Sequence, residues 1–136
     1  MMRRYSVLLV IPILLGVLGS VSPQKETFQT NVLLERDISD YAGKDMMVTV
    51  RELTLKPGAV GSKHRHPGPV FVYVLEGDVE VEIEGSPPRV YHPGEIFSEI
   101  PHQLHLSTRN ADPRRPARIL SYILSRKGEP LTQPEN

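Results

Sequence analysis

The feature that most constrains the fold is the two-residue spacing of the apolar side chains. Val48 and Val50 alternate with polar residues, and Val79, Val81 and Ile83 alternate with glutamates. Because successive side chains of a strand point to opposite faces, this period predicts β-strands with one buried face. No window of the sequence shows the periodicity of an amphipathic helix.

Two segments depart from simple alternation. Between Val50 and Leu53 the apolar pattern changes phase, which predicts a β-bulge at Arg51-Glu52. Residues 70–75 are almost wholly apolar, which predicts a central strand covered on both faces.

Turn-forming residues separate these runs. The chain has 13 Pro and 10 Gly among 136 residues, which is too many for a helical bundle. Turn signals recur roughly every ten residues, so we expect seven or eight strands in a β-sandwich or a closed barrel. The length allows one ordinary domain.

The amino terminus has the layout of an export signal. Arg3 and Arg4 precede an uncharged apolar run over residues 7–18, and small residues follow in Gly19-Ser20. A basic start, a short apolar run and small residues are typical of a secretory signal peptide, here residues 1–22. The alternative is an uncleaved membrane anchor, but the run is shorter than the roughly 20 residues that a spanning helix needs. We therefore expect a periplasmic or secreted protein without stable membrane association after cleavage.

Charge and cysteine content exclude several classes of function. Sixteen basic and sixteen acidic side chains give no net charge, so nothing favours a nucleic-acid partner. The absence of cysteine excludes disulfides, thiolate metal sites and a cysteine nucleophile.

The five histidines indicate the kind of site. All lie between positions 64 and 105, and His64 and His66 are two residues apart. On an extended segment these two imidazoles share a face, where they could hold one divalent ion. Taken alone, the spacing also fits a solvated loop.

The residues around this pair resemble the first signature of the cupin family. Gly58, His64, His66 and Gly77 stand at the spacings of that signature, and a second, looser signature runs from Gly94 through His105 to Arg109-Asn110. Cupins are small β-barrels that commonly hold one metal ion between three histidines and a glutamate. The resemblance covers roughly residues 48–122. It implies His64, His66 and His105 as metal ligands.

The resemblance also implies the fold class, an all-β cupin-type double-stranded β-helix, or jelly-roll barrel, preceded by the signal peptide. We expect residues 23–45 to form a lead-in and the first strand, residues 46–125 the cupin barrel, and residues 126–136 a flexible tail.

The sequence departs from the family pattern in ways that affect the site. Val70 occupies the position of the family's glutamate and cannot bind a metal, so the resemblance implies a three-histidine site. His102 stands where glycine is usual, three residues before His105, which would point it to the opposite face of a strand. Glu99 has the same parity as His105 on an unbroken strand, but the Ile100-Pro101 bend interrupts that relation. Whether His102 or Glu99 assists the site is left open.

Several chemistries suit such a site. Iron would support dioxygenase chemistry, whereas zinc, manganese or nickel would act as a Lewis acid in an isomerase or a related enzyme. A metal without a carboxylate ligand would favour a small polar or anionic molecule. The sequence leaves two alternatives open, a non-catalytic metal- or ligand-binding sensor cupin and a structural barrel with an empty site. No catalytic residue beyond the ligands can be assigned.

The same apolar strand bears on oligomeric state. If Val70 faces the interior, then Phe71, Tyr73 and Leu75 lie on the opposite surface and need cover. Residues 32–38 and 119–124 could supply it within the chain, or a homodimer could.

Overall fold

The fold is described from a computed structural model that covers residues 28–37 and 39–135. The predicted signal peptide lies outside these residues. The described chain forms ten strands and one short helix. In chain order they are β1 (Phe28–Asp37), α1 (Ser39–Ala42), β2 (Met46–Leu55), β3 (His64–Arg65), β4 (Val70–Glu76), β5 (Val79–Ile83), β6 (Arg89–Tyr91), β7 (Ile96–Glu99), β8 (His105–Asn110), β9 (Ala117–Arg126) and β10 (Gln133–Pro134).

The strands form two five-stranded antiparallel sheets. The order is β1-β2-β9-β4-β7 in the first sheet and β10-β3-β8-β5-β6 in the second. Inward-facing side chains of both sheets build the core, in which Leu55, Val74 and Ile123 are completely buried. Burying each of these side chains contributes about 1.5–3 kcal/mol relative to leaving it exposed. The predicted all-β architecture is confirmed.

The pairing of β2 with β9 has no bulge at the position where the sequence predicts one. All ten residues of β2 pair with β9 without a register shift, and the irregularity lies in β1, between Val32 and Leu34. The bulge predicted at Arg51-Glu52 is therefore wrong. The apolar pattern changes phase there because Arg51 occupies an inward-facing position of β2, on the same side as Leu53.

Strand β4 is covered on one face only. Its valines are buried, whereas Phe71 is 43% and Tyr73 38% exposed, so the prediction of cover on both faces is wrong. Strand β9 lies beside β4 in the same sheet and cannot cover it, and the described part of 32–38 does not bury these rings. We call the exposed set the outer apolar surface; it consists of Phe71, Tyr73, Leu75, Ile96 and Tyr122.

The carboxyl-terminal segment is described as far as Glu135. Strand β10 pairs with β3, and Arg65 forms an ion pair with Glu135 at 2.6 Å. Flexibility of residues 126–136 stays a prediction, but these contacts bring the segment to the candidate site.

The chain at Gly68 packs tightly against strand β9. A Cβ atom at Gly68 would collide with the carbonyl oxygen of Leu124, so the chain between His66 and Val70 lies directly against β9.

The described residues contain no helix with the length and apolarity needed to cross a membrane.

Candidate metal centre

Three imidazole rings meet between the two sheets. His64 in β3 lies directly opposite His105 in β8, and their ring centroids are 4.8 Å apart. The His66 ring lies 4.8 Å from that of His64, edge to face. His66 and His105 are buried and His64 is partly buried. The structure therefore brings together all three of the histidines that the sequence predicts as ligands.

Backbone carbonyls orient the first two rings. Nδ1 of His64 lies 2.8 Å from the carbonyl oxygen of Ser62, and Nδ1 of His66 lies 2.5 Å from that of Leu131. Because a carbonyl only accepts, each Nδ1 carries the hydrogen and each neutral ring has its lone pair on Nε2. The two Nε2 atoms face each other at 3.1 Å. Two lone pairs that meet in this way need a cation between them.

The third ring is oriented in the opposite sense. Nε2 of His105 lies 2.9 Å from both the carbonyl oxygen of Ser107 and the hydroxyl of Thr108. Because the carbonyl only accepts, Nε2 carries the ring hydrogen and donates it in a hydrogen bond, which leaves the lone pair on Nδ1. That atom is 2.9 Å from Oε2 of Glu99. Neither atom makes an aligned hydrogen bond, and both are buried.

Glu99 is the site residue that the sequence left undecided. It ends β7, is 4% exposed, and lies directly opposite Val70 in the β4–β7 pair. The ligand atoms of His64, His66 and Glu99 all lie within 4.8 Å of one another. The Ile100-Pro101 bend follows Glu99, so it leaves the inward direction of this side chain intact.

The protonation states favour metal binding. Burial lowers the pKa of His64 and of His66 below 6.5, and this outweighs the opposing effect of their carbonyl partners. Burial raises the pKa of Glu99, but His105, followed by His66 and His64, lowers it by more, so the pKa of this carboxyl lies below 4.5. At neutral pH His64 and His66 are therefore neutral imidazoles and Glu99 is a carboxylate, the forms that bind metal ions.

The remaining histidines lie outside the cluster. His102 is exposed at a positive φ of 61°, and its backbone N–H donates to the carbonyl of His66. Its ring takes no part in the site, which answers the question left open for this residue. His92 is exposed and pairs with Asp78 at 2.8 Å.

The side chains of His64, His66 and Glu99 fit a divalent ion; His105 is not part of this close group, and its Nδ1 lies 2.9 Å from Oε2 of Glu99. Two nitrogens that each lie about 2.1 Å from one ion are about 3.0 Å apart at a right angle and about 3.4 Å apart at a tetrahedral angle. The observed 3.1 Å between the Nε2 atoms falls in this range. Three imidazoles and one carboxylate suit iron, zinc, manganese or nickel.

The cluster opens into a cavity of about 250 Å³. Most of the wall is apolar, with Leu53, Val72, Phe97 and Ile119 among its residues. The one other charged side chain in the lining is Arg51, which sequence reasoning missed. Its signal was the change of phase in β2, where an inward position lacks an apolar residue.

Comparison with known families agrees with this arrangement. The family model for the Cupin_2 group, described as a cupin domain, matches residues 51–123, more than half of the chain. The protein belongs to the cupin family. The resemblance seen in the sequence is thereby confirmed, and with it the cupin-type barrel. No curated protein matches this cupin.

Solved structures share the cupin fold. A cupin-like protein from Thermotoga maritima is 19% identical with a TM-score of 0.60, over 80% of this chain and 76% of that one. A cupin 2 domain-containing protein from Halorhodospira halophila is 16% identical with a TM-score of 0.63, over 86% and 76%. The DMSP lyase DddQ from Ruegeria pomeroyi is 25% identical with a TM-score of 0.62, over 81% of this chain and 54% of the lyase. This cupin thus spans about half of the lyase.

Proposed function

We propose that this cupin binds one divalent metal ion through His64, His66 and His105, with Glu99 as a fourth ligand. The observation that carries the proposal is that atoms bearing lone pairs face one another in two close pairs. The Nε2 atoms of His64 and His66 are 3.1 Å apart, and Nδ1 of His105 is 2.9 Å from Oε2 of Glu99. A divalent cation would satisfy the atoms of His64, His66 and Glu99, which lie within 4.8 Å of one another, and we propose that it also binds Nδ1 of His105 beside Oε2 of Glu99.

The fourth ligand changes the charge of the centre. A three-histidine site would leave both positive charges of the metal uncompensated, whereas Glu99 balances one of them. The remaining positive charge still favours a polar or anionic ligand at the open positions. When bound, the metal would supply Lewis-acid or redox chemistry, which supports an isomerase or a dioxygenase acting on a small molecule.

The cavity lining limits what the protein itself contributes. Apart from Arg51, its titratable side chains are the four candidate ligands. Tyr73, a candidate proton donor by type, points to the outer apolar surface. The described residues therefore bind and orient a molecule and exclude water from it, and the cavity provides no separate acid or base. This same feature favours the second candidate function, a non-catalytic metal- or ligand-binding sensor.

Export and dimerisation belong to the same proposal. The basic start and the apolar run of residues 7–18 support a periplasmic or secreted location. The outer apolar surface supports a homodimer, since contiguous exposed apolar patches mark interaction sites. Light scattering coupled to gel filtration measures the mass in solution. A monomer at all concentrations would contradict the dimer.

The metal site is tested by elemental analysis of protein purified from its own compartment. We expect close to one metal ion per chain in the wild type, loss of the metal in His64→Ala, and retention in His92→Ala. His92→Ala is the matched control because it removes an exposed imidazole outside the cluster. Metal retained by His64→Ala would contradict the proposal. Oxygen uptake and substrate turnover by the loaded protein then separate an enzyme from a sensor.

A further inference from the structure

Arg51 projects into the same cavity as the candidate ligands. It lies in the middle of β2, opposite Ser121 of β9, and both side chains line the cavity together with His64 and Glu99. Leu53 and Leu55 continue the inward face of β2 and are apolar. A guanidinium therefore stands at one inward position of the barrel wall, beside apolar inward residues of the same strand.

The guanidinium has no partner of opposite charge among the described residues. Its Nε atom is buried and makes no hydrogen bond. Other arginines of the described chain pair with carboxylates; these are Arg65, Arg89, Arg109, Arg115 and Arg118. Burial lowers the pKa of Arg51, but a guanidinium stays charged in proteins. Arg51 is partly buried, and a partly buried charge without a counter-ion destabilises a fold.

The carboxylate of Glu99, the anion of the cavity, faces the imidazoles and not Arg51. Glu99 faces the three imidazoles, at 2.9 Å from His105 and 3.8 Å from His66, and no ion pair joins it to Arg51. The cavity thus holds the carboxylate of Glu99, which faces the three imidazoles, and the separate cation of Arg51, which has no ion-pair partner among the described residues. The described residues therefore supply no anionic complement to Arg51, which leaves it free to bind an anion from solution.

We propose that Arg51 binds the carboxylate of a small organic acid whose other end reaches the His64–His66–Glu99–His105 cluster. This inference rests on the proposed function and names its ligand class. A guanidinium presents a planar pair of N–H donors that matches a carboxylate. One guanidinium complements one negative charge, and the apolar wall suits a short hydrocarbon chain. The cavity of about 250 Å³ lies below the ~300–1,000 Å³ typical of pockets for drug-sized ligands, so the acid is small.

The test uses butyrate as the probe and butyramide, its neutral analogue of the same shape, as the ligand control. Dissociation constants are measured by NMR titration with metal-free and with metal-loaded protein. The variants are Arg51→Met, which removes the charge, and Arg51→Lys, which keeps the charge but loses the paired donors. Arg109→Met is the matched control because Arg109 is exposed and pairs with Glu80 outside the cavity.

We expect wild type and Arg109→Met to bind butyrate more tightly than butyramide. Arg51→Met should bind butyrate about tenfold or more weakly, in both metal states, with butyramide unchanged, and Arg51→Lys should lie between. Equal binding by wild type and Arg51→Met would overturn the proposal, as would no saturable binding of butyrate by the wild type. If Arg51→Met does not fold, the same comparison is made with Arg51→Lys.

The metal-free titration separates this inference from the proposed function. A wild type that binds no metal but discriminates butyrate through Arg51 would contradict the metal site alone. A protein with stoichiometric metal in both wild type and Arg51→Met, but no discrimination, would contradict the carboxylate site alone.

Discussion

Glu99 lies directly opposite Val70 in the antiparallel pair β4–β7, and both side chains are buried. Residues opposite each other in such a pair share a face, with Cβ atoms about 4.5–5.5 Å apart. Val70 stands at the position where the family pattern has its glutamate. A carboxylate on the neighbouring strand therefore faces the imidazoles, although the family position on β4 is apolar.

The first prediction concerns the charge of Glu99. Replacing it by Gln keeps the size of the side chain but removes the anion that faces His105. We expect metal affinity to fall by more than the ~10–100-fold that is typical of residues behind the ligands. Competition with a chelator of known affinity measures the change. Glu84→Gln, at an exposed position, is the control, and an unchanged affinity in Glu99→Gln would mean that the three imidazoles act without it.

The second prediction moves the carboxylate across the sheet. Glu99→Val alone should lose metal, whereas Val70→Glu combined with Glu99→Val should recover a substantial part of the affinity. The reason is that paired positions on β4 and β7 face the same cluster. The wild type, the single variants Val70→Glu and Glu99→Val, and the double variant form a double-mutant cycle, in which we expect the double variant to bind metal more tightly than the sum of the two single effects predicts. Additive losses in the double variant would show that only β7 can place the carboxylate.

The third prediction is that Arg51→Met raises thermal stability. The substitution removes a buried nitrogen without a hydrogen-bond partner and keeps an unbranched apolar stem in the same space. An unsatisfied buried polar group costs about 1–3 kcal/mol, which corresponds to several degrees in the melting temperature. Calorimetry of both proteins, free of organic acids, measures it. A lower melting temperature in the variant would indicate that Arg51 holds the barrel together.

The residues of the candidate site differ in how well the sequence alone predicts them. His64, His66 and His105 were predicted as ligands from the resemblance to the cupin signatures, because each lies within a recognisable pattern; the two-residue spacing of the first pair alone also fitted a solvated loop. Glu99 stayed undecided because its place depends on which strand lies beside β4, and that is a long-range property. Arg51 was missed because a phase change in one strand has two causes, a bulge or a polar inward residue, and the pattern alone does not distinguish them.

The contacts of the carboxyl-terminal segment could not be predicted from the sequence for a related reason. Its polar, proline-containing sequence resembles a loose tail, yet β10 pairs with β3 and the carbonyl of Leu131 accepts from His66. These partners lie about 65 residues earlier in the chain, where no local pattern could indicate them.

The last prediction tests whether this segment supports the site. Deletion of residues 131–136 removes the carbonyl that orients the His66 ring, together with β10. With Nδ1 released, the ring is free to rotate and to exchange its tautomer, so we expect metal affinity to fall by ~10–100-fold with the barrel still folded. The control is Glu135→Gln, which removes only the partly exposed ion pair with Arg65 and should change little. Chelator competition gives the affinities and circular dichroism the fold. A folded truncated protein that binds metal as tightly as the full chain would show that His66 is oriented without help from this segment.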